Sequence, residues 1–186
     1  MKRILYLALI VAFANCNQSA SKEQTATSFS EEAEKAAIMK TIEAETDCFY
    51  KRNYDCWKKH FIQKDYAFQA WSNGDGTFDA KTGWPAVDKK IGDYIKNNPT
   101  APGTSSHPRV ERKNMIIHFF SNDVAYLVWD QYNGDKESKT FLHSKDERIM
   151  EKENGEWKIA NVSSFWNYKN KIPSDSLQYH SNTINH

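Results

Sequence analysis

Apolar residues follow three rhythms along this chain. From Ile4 to Ala14 they run without interruption, after Ser30 they return every three or four positions, and beyond Arg109 they alternate with polar ones. A return every three to four positions marks an amphipathic helix, and strict alternation marks a half-buried strand. The stretch "SEEAEKAAIMKTIEAETDCFY" therefore predicts a helix. Ser30 is its N-cap, Glu31 and Glu32 lie in its first turn, and Ala37, Ile38, Ile42 and Phe49 form its apolar side. A break is expected at Asn53, followed by a short second helix over "YDCWKKHF". "DYAFQAW" alternates as a strand, and "SNGDGTFDAKTGW" is rich in turn residues. "PAVDKKIGDYIKN" predicts a third helix, with Pro85 in its first turn and Val87, Ile91 and Ile95 along one side. After the loop "NPTAPGTSSHP" come four alternating strands, 109–120, 124–132, 139–152 and 156–166. After Ile172 the chain is polar and reads as a frayed tail.

This order is helix, helix, strand, helix, then a four-stranded antiparallel meander. A meander has two faces and the preceding helices can cover only one, so the expected architecture is α+β, a curved sheet folded around helices.

The first rhythm belongs to export rather than to the fold. Lys2 and Arg3 precede the apolar run, which is short for a membrane span, and Cys16 follows it. "FANC" is similar to the lipobox of bacterial lipoproteins, where the chain is cleaved before the cysteine and the cysteine is lipidated. It departs from that pattern in having Asn15 where a smaller residue is usual. The expected organisation is a signal peptide over 1–15, lipidated Cys16 and a flexible tether over 16–29, a folded domain over 30–168 and a tail over 169–186. Asn17 after the cysteine favours an outer-membrane anchor. Membrane contact is expected only through the lipid.

With Cys16 acylated, Cys48 and Cys56 remain. On one continuous helix they would stand about 12 Å apart, beyond the reach of a disulfide. We therefore expect two free, buried thiols, unless "KRNYD" breaks the helix and closes the distance.

Charge narrows the partners. Twenty-five basic residues face 24 acidic ones, which gives a net charge of +1 and no footprint for nucleic acid. Aromatics make up 13% of the chain, with six Trp, enough to fill a core or to line an apolar pocket.

Two segments carry a family resemblance. "TIEAETDCFYKRNYDCWKKHF" is similar to the helix–turn–helix opening, and "RIMEKENGEWKIANVSSF" to the closing hairpin, of the nuclear transport factor 2-like superfamily, and in particular of its SnoaL-like and other small bacterial domains. The resemblance spans Ser30 to about Tyr168. It implies a cone-shaped, cystatin-like α+β fold, and it leaves function open, because that fold hosts isomerases, cyclases, dehydratases and binding modules. Many such domains carry His in the strand after Trp-Lys-Ile. Here the matching positions are Asn161 and Ser163.

Asn154-Gly155 suits a two-residue type I′ turn. That register sets Lys152 opposite Trp157, Met150 opposite Ile159, Arg148 opposite Asn161 and Asp146 opposite Ser163. One face then grades from Met150, Trp157 and Ile159 into Arg148, Asn161, Asp146 and Ser163, as a pocket lined by packing at one end and polar groups at the other would. The competing reading is an ion pair between Arg148 and Asp146 at a sheet margin. In the same way, a turn at Asn122-Asp123 sets Ile116 opposite Trp129 and His118 opposite Leu127, with His118 on the face of Trp129. Tyr50, Tyr54 and Trp57 can reach a cone mouth from the helical side, or can be core. Pocket candidates are thus Tyr50, Tyr54, Trp57, Trp71, His118, Trp129, Arg148, Asn161 and Ser163. Asp47, Asp65 and Asp130 are candidate carboxylate bases. "NGDGTFD" spaces oxygen side chains by two, as calcium loops do, but has Phe78 where glycine is expected and lacks a closing Glu, so we expect a turn and no metal. No cofactor motif is present.

Three functions compete. The first is a lipid-anchored domain that binds a small apolar or amphipathic molecule in an aromatic pocket, without chemistry. The second is a SnoaL-like or ketosteroid-isomerase-like enzyme with a pocket Asp or His as base. The third is a module that dimerises through its sheet. The absence of a conspicuous proton carrier puts the first ahead. A buried carboxylate inside the cone would favour the second, and a filled cone with an exposed apolar sheet face the third.

Overall fold

The computed structural model describes residues 29–180, residue 108 apart. The signal segment, Cys16 and nearly all of the tether lie outside the described residues. Helix α1, Glu31–Tyr50, opens on Ser30, whose hydroxyl accepts the Ala33 N–H. Its buried stripe is Ile38, Ile42, Glu45 and Cys48. The chain reverses through Arg52, which takes a left-handed backbone (φ 58°), and Asn53 caps α2, Tyr54–Lys58, by accepting the Cys56 N–H at 3.1 Å. This reversal corrects the expectation of free thiols. Because α1 ends at Tyr50, the Cα atoms of Cys48 and Cys56 lie 5.6 Å apart, and a disulfide joins them.

Strand β1, Phe68–Ser72, pairs with β2, Phe78–Thr82, so the turn-rich stretch contains a strand as well as a turn. Its tip is held by its own oxygens. Asp75 Oδ1 accepts the Thr77 N–H at 2.9 Å and the Thr77 hydroxyl at 2.6 Å. The third predicted helix forms as α3, Trp84–Val87, a π-helical turn over Asp88–Gly92, and α4, Asp93–Asn97. The ring of Tyr54 lies against Gly92, where a Cβ would come within 2.8 Å of it, and the Tyr54 hydroxyl donates to Asp88 Oδ1 at 2.7 Å.

Strands β3 (Val110–Ser121), β4 (Val124–Gly134), β5 (Thr140–Glu153) and β6 (Glu156–Pro173) form the meander, and α5, Ser174–His180, follows. Strand β6 runs past the expected domain end at 168, and buried Leu177 of α5 fastens it, its carbonyl accepting Lys113 Nζ at 2.9 Å. The sheet order is β2-β1-β6-β5-β4-β3. Among its named strands the β1–β6 pairing alone is parallel. The helices pack on one face of the sheet, over a core that includes Ile38, Ile42, Trp57, Phe61, Trp84, Leu127, Trp129, Met150 and Ile159. Among the described residues no helix is long and apolar enough to cross a membrane.

Candidate functional site

The closing hairpin turns as the Asn-Gly pair predicts, with both residues at positive φ (55° and 81°). Lys152 faces Trp157 and Met150 faces Ile159. Beyond that the register slips. Ala160 is unopposed, so Ile149 faces Asn161, Arg148 faces Val162 and Asp146 faces Ser164. A one-residue bulge moves every later side chain to the other face. Val162 and Ser164 therefore share the inner face with Arg148 and Asp146, while Asn161 and Ser163 pair with Ile149 and Glu147. A second bulge, in β3, displaces His118. Phe120 is bulged beside the Asn122-Asp123 turn, so His118 faces Tyr126, is exposed, and packs edge-on against Phe120.

Between α1, the 84–97 helical segment, β1 and the far ends of β4–β6 lies a cavity of about 510 Å³. Its rim carries Arg52, Trp71, Asp79, Lys90, Tyr94 and Tyr168, and its floor carries buried Glu45, Tyr50, Gln69, Gln131, Asp146, Arg148 and Ser164. Of the predicted pocket residues, Tyr50, Trp57, Trp71 and Arg148 line it. Tyr54, His118, Trp129, Asn161 and Ser163 do not. Trp129 lies fully buried beneath the floor, with the Arg148 guanidinium 5.0 Å from its ring centroid and that of Arg112 at 6.0 Å.

The floor is a hydrogen-bonded polar cluster. Asp146 Oδ1 accepts the Ser144 hydroxyl at 2.5 Å, and Oδ2 accepts Ser164 at 2.8 Å and the Arg148 guanidinium at 3.2 Å. Arg148 also donates to the Glu147 carbonyl. The predicted Arg148–Asp146 pair thus forms, but inside the cone, with Asp146 1% exposed and Arg148 6%. Alongside it the Tyr50 hydroxyl donates to Asn133 Oδ1 at 2.8 Å.

Two titratable groups of the cavity escaped the sequence reading. Glu45 occupies the buried stripe of α1, one turn after Ile42, and its Oε1 accepts the Trp57 indole N–H at 3.0 Å. Burial holds its carboxyl above the usual carboxylate range, against the pull of Arg148 and Arg112. A Glu at the i+3 position of an apolar stripe is a readable signal for such a site. His107 comes from the loop before β3. Its Nδ1 donates to the Gly134 carbonyl at 2.7 Å, its ring lies 4.5 Å from that of Tyr50, and burial pushes its pKa down. Both groups are biased toward their neutral forms. The carboxylates singled out from the sequence lie elsewhere. Asp47 pairs with Lys51 on the surface, Asp65 is exposed, and Asp130 binds Asn114, His143 and Lys145. Among the described residues Cys48, Cys56 and His60 lie close enough to hold a metal, but the disulfide occupies both sulfurs.

No family model matches the sequence, and no curated relative does. Solved structures do match. A nuclear transport factor 2-like protein of unknown function from Shewanella oneidensis is 16% identical, with a TM-score of 0.52 over 71% of this chain and 98% of its own. The association domain of C. elegans CaMKII is 14% identical (TM-score 0.53, 72% and 96%), and LinA is 16% identical (TM-score 0.50, 76% and 90%). The chain has the nuclear transport factor 2-like fold. Its neighbours include a protein without known function, an association domain and LinA, so the fold leaves the function open.

Proposed function

We propose that the cone binds a small amphipathic molecule, its apolar body among the rim aromatics and its polar end on the floor. The observation that carries this reading is the open 510 Å³ cavity, a volume usual for small-molecule sites, over buried and oriented polar groups. A neutral environment-sensitive dye, N-phenyl-1-naphthylamine, should brighten on binding, and Ala70→Phe, which fills the cavity from β1, should suppress the signal. Absence of dye binding to the wild-type protein sinks the reading.

Acid–base catalysis on the bound molecule is the second reading, favoured by Glu45 and His107. One cavity holds a carboxyl pushed toward its neutral acid form and an imidazole pushed toward its neutral base form. Carbon-detected titration of both residues tests it. If both titrate in the ordinary ranges for Glu and His, the cavity has no tuned proton carriers and the reading fails.

Dimerisation through the outer sheet face belongs to the same proposal, supported by exposed Ile116 and Phe165 on β3 and β6. Sedimentation of an Ile116→Glu, Phe165→Glu variant tests it, and an unchanged mass would count against it. The lipid-anchored envelope location read from residues 1–16 is also proposed. A disulfide in so small a domain fits an oxidising compartment. Fatty-acid labelling that survives Cys16→Ala would overturn the anchor.

A further inference from the structure

The buried side-chain polar atoms left without a partner in and around this cavity are nitrogens. Among the described residues, the buried side-chain atoms without a partner are Arg52 Nε, Arg112 Nε, Arg148 Nε, Asn133 Nδ2 and His60 Nε2. The first four are N–H donors at any ordinary pH, and no oxygen acceptor is among the five. Two of the four belong to arginines that line the cavity, Arg148 at its floor and Arg52 at its rim. A third, Arg112, packs with Arg148 over Trp129.

The carboxylates of the same cavity are already engaged. Asp146 takes three donors, and Glu45 takes the Trp57 indole. Asp79 at the rim is answered by Lys81 at 3.2 Å and Lys90 at 3.6 Å. Arg112 donates to the Thr46 hydroxyl at 2.7 Å, and its Nε–H is left over. A buried donor without an acceptor costs stability, and such groups in folded proteins call for an explanation. The charges point the same way. Two guanidiniums, Arg148 and Arg112, share this region with Asp146 and with Glu45, whose charged form burial disfavours.

Arg52 is held by the turn that ends α1, in the left-handed backbone common just past a helix C-terminus. The result is a guanidinium beside the stacked rings of Phe49 (5.0 Å) and Tyr94 (4.7 Å), both cavity residues, with one N–H on the Phe49 carbonyl and another on the Tyr94 hydroxyl. Rigid, stacked guanidiniums with spare N–H groups are receptors for planar oxyanions.

We propose that the molecule taken by this cavity is a small aromatic or amphipathic carboxylate, drawn in past Arg52 at the rim and held by Arg148 on the floor, with its apolar body on Trp71, Phe49 and Tyr94. The inference rests on the binding reading above and specifies the class of ligand.

Calorimetric titration with 2-naphthoate and its neutral isostere 2-naphthamide separates the two ideas. The carboxylate should bind at least about tenfold more tightly than the amide, which corresponds to about 1.4 kcal/mol. Arg148→Lys keeps the charge and deletes the Nε–H, and the naphthoate-to-naphthamide ratio should collapse toward one. Arg52→Met at the rim should reduce the same ratio, and it carries the test if the buried Arg148 variant does not fold. Equal affinities in the wild-type protein overturn the anion inference and leave the binding reading standing. A preference that survives both substitutions overturns the assignment to these arginines. If neither naphthalene probe binds and the neutral dye does not either, both readings fall together.

Discussion

The two ends of the sheet's inner face are built from the same strands and bury opposite chemistry. At the turn end, Ala125, Met150, Trp157 and Ile159 pack with Phe119 against α1. Two to six residues further along the same strands, the inward positions are Trp129 and Gln131 on β4, Ser144, Asp146 and Arg148 on β5, and Ser164 on β6. The apolar end stabilises by removing surface from water. The polar end is hydrogen-bonded nearly throughout and gains little net stability from it, since each internal bond replaces one to water. Apolar side chains of like volume would hold such a sheet as well or better. The polar end therefore makes sense as a site, and the apolar end as the frame that fixes its strands.

The largest expected effect lies in the frame. Trp157 is 4% exposed, touches Phe119, and donates its indole N–H to Glu34 Oε2 at 2.7 Å. Trp157→Ala should cost about 3–5 kcal/mol, measured as a fall in the denaturant midpoint at constant slope. A midpoint equal to the wild type would mean that this end is not the frame.

The next effect is in the site. A wet pocket arginine would be cheap to remove, and that is how Arg148 reads when its face is inferred from the turn alone. Buried beside Asp146, it is not cheap. Arg148→Ala leaves a buried carboxylate with only two serine hydroxyls, and should cost about 3 kcal/mol. The comparison sharpens in the double variant. Arg148→Ala with Asp146→Ala should cost clearly less than the sum of the two singles, because the second change removes the charge stranded by the first. Additive costs would mean that the pair is not coupled and that the floor is as independent as a surface.

These two ends were not equally legible in the sequence. The helices, the meander and the Asn154-Gly155 turn are written in local signals: Ser30 and Asn53 as caps, alternation after Arg109, and a dipeptide with positive φ at both positions. The face of Trp157, Met150 and Ile159 follows from that turn directly, because no irregularity intervenes. The site lies beyond a bulge at Ala160, and His118 lies beyond another at Phe120. A bulge depends on how twisted strands close over the helices, a tertiary matter, so counting from a turn placed Asn161, Ser163 and His118 on the wrong faces. The disulfide was missed because the helix break that brings Cys48 to Cys56 was located without its geometry. Glu45 was the readable omission, a charged residue among Ile38, Ile42 and Cys48 on one helical stripe. His107 had no local signal at all, since only the fold carries its loop to Tyr50.

The smallest effect expected is a difference in slope, and it contrasts the two ends through one Glu at each. Glu34, at the apolar end, accepts from Lys152 at 2.6 Å and from Trp157, and the hydrogen bond from Lys152 is the main reason its carboxyl sits below the usual range. Its folded pKa is depressed, so the stability it adds is present above its unfolded pKa and is lost as pH falls through the folded value. Glu45, at the polar end, is raised by burial. The folded state then holds its proton more tightly than the unfolded chain does. Its contribution is complete below the unfolded pKa and is lost as pH rises from there through the folded value. Glu34→Gln should therefore flatten the acid limb of a plot of denaturant midpoint against pH, and Glu45→Gln should flatten the decline on the other side, toward neutrality. The double variant should flatten both, since the two residues share no partner. If Glu45→Gln instead flattened the acid limb, its carboxyl would be stabilised as the anion, and the cavity floor would be balanced in charge.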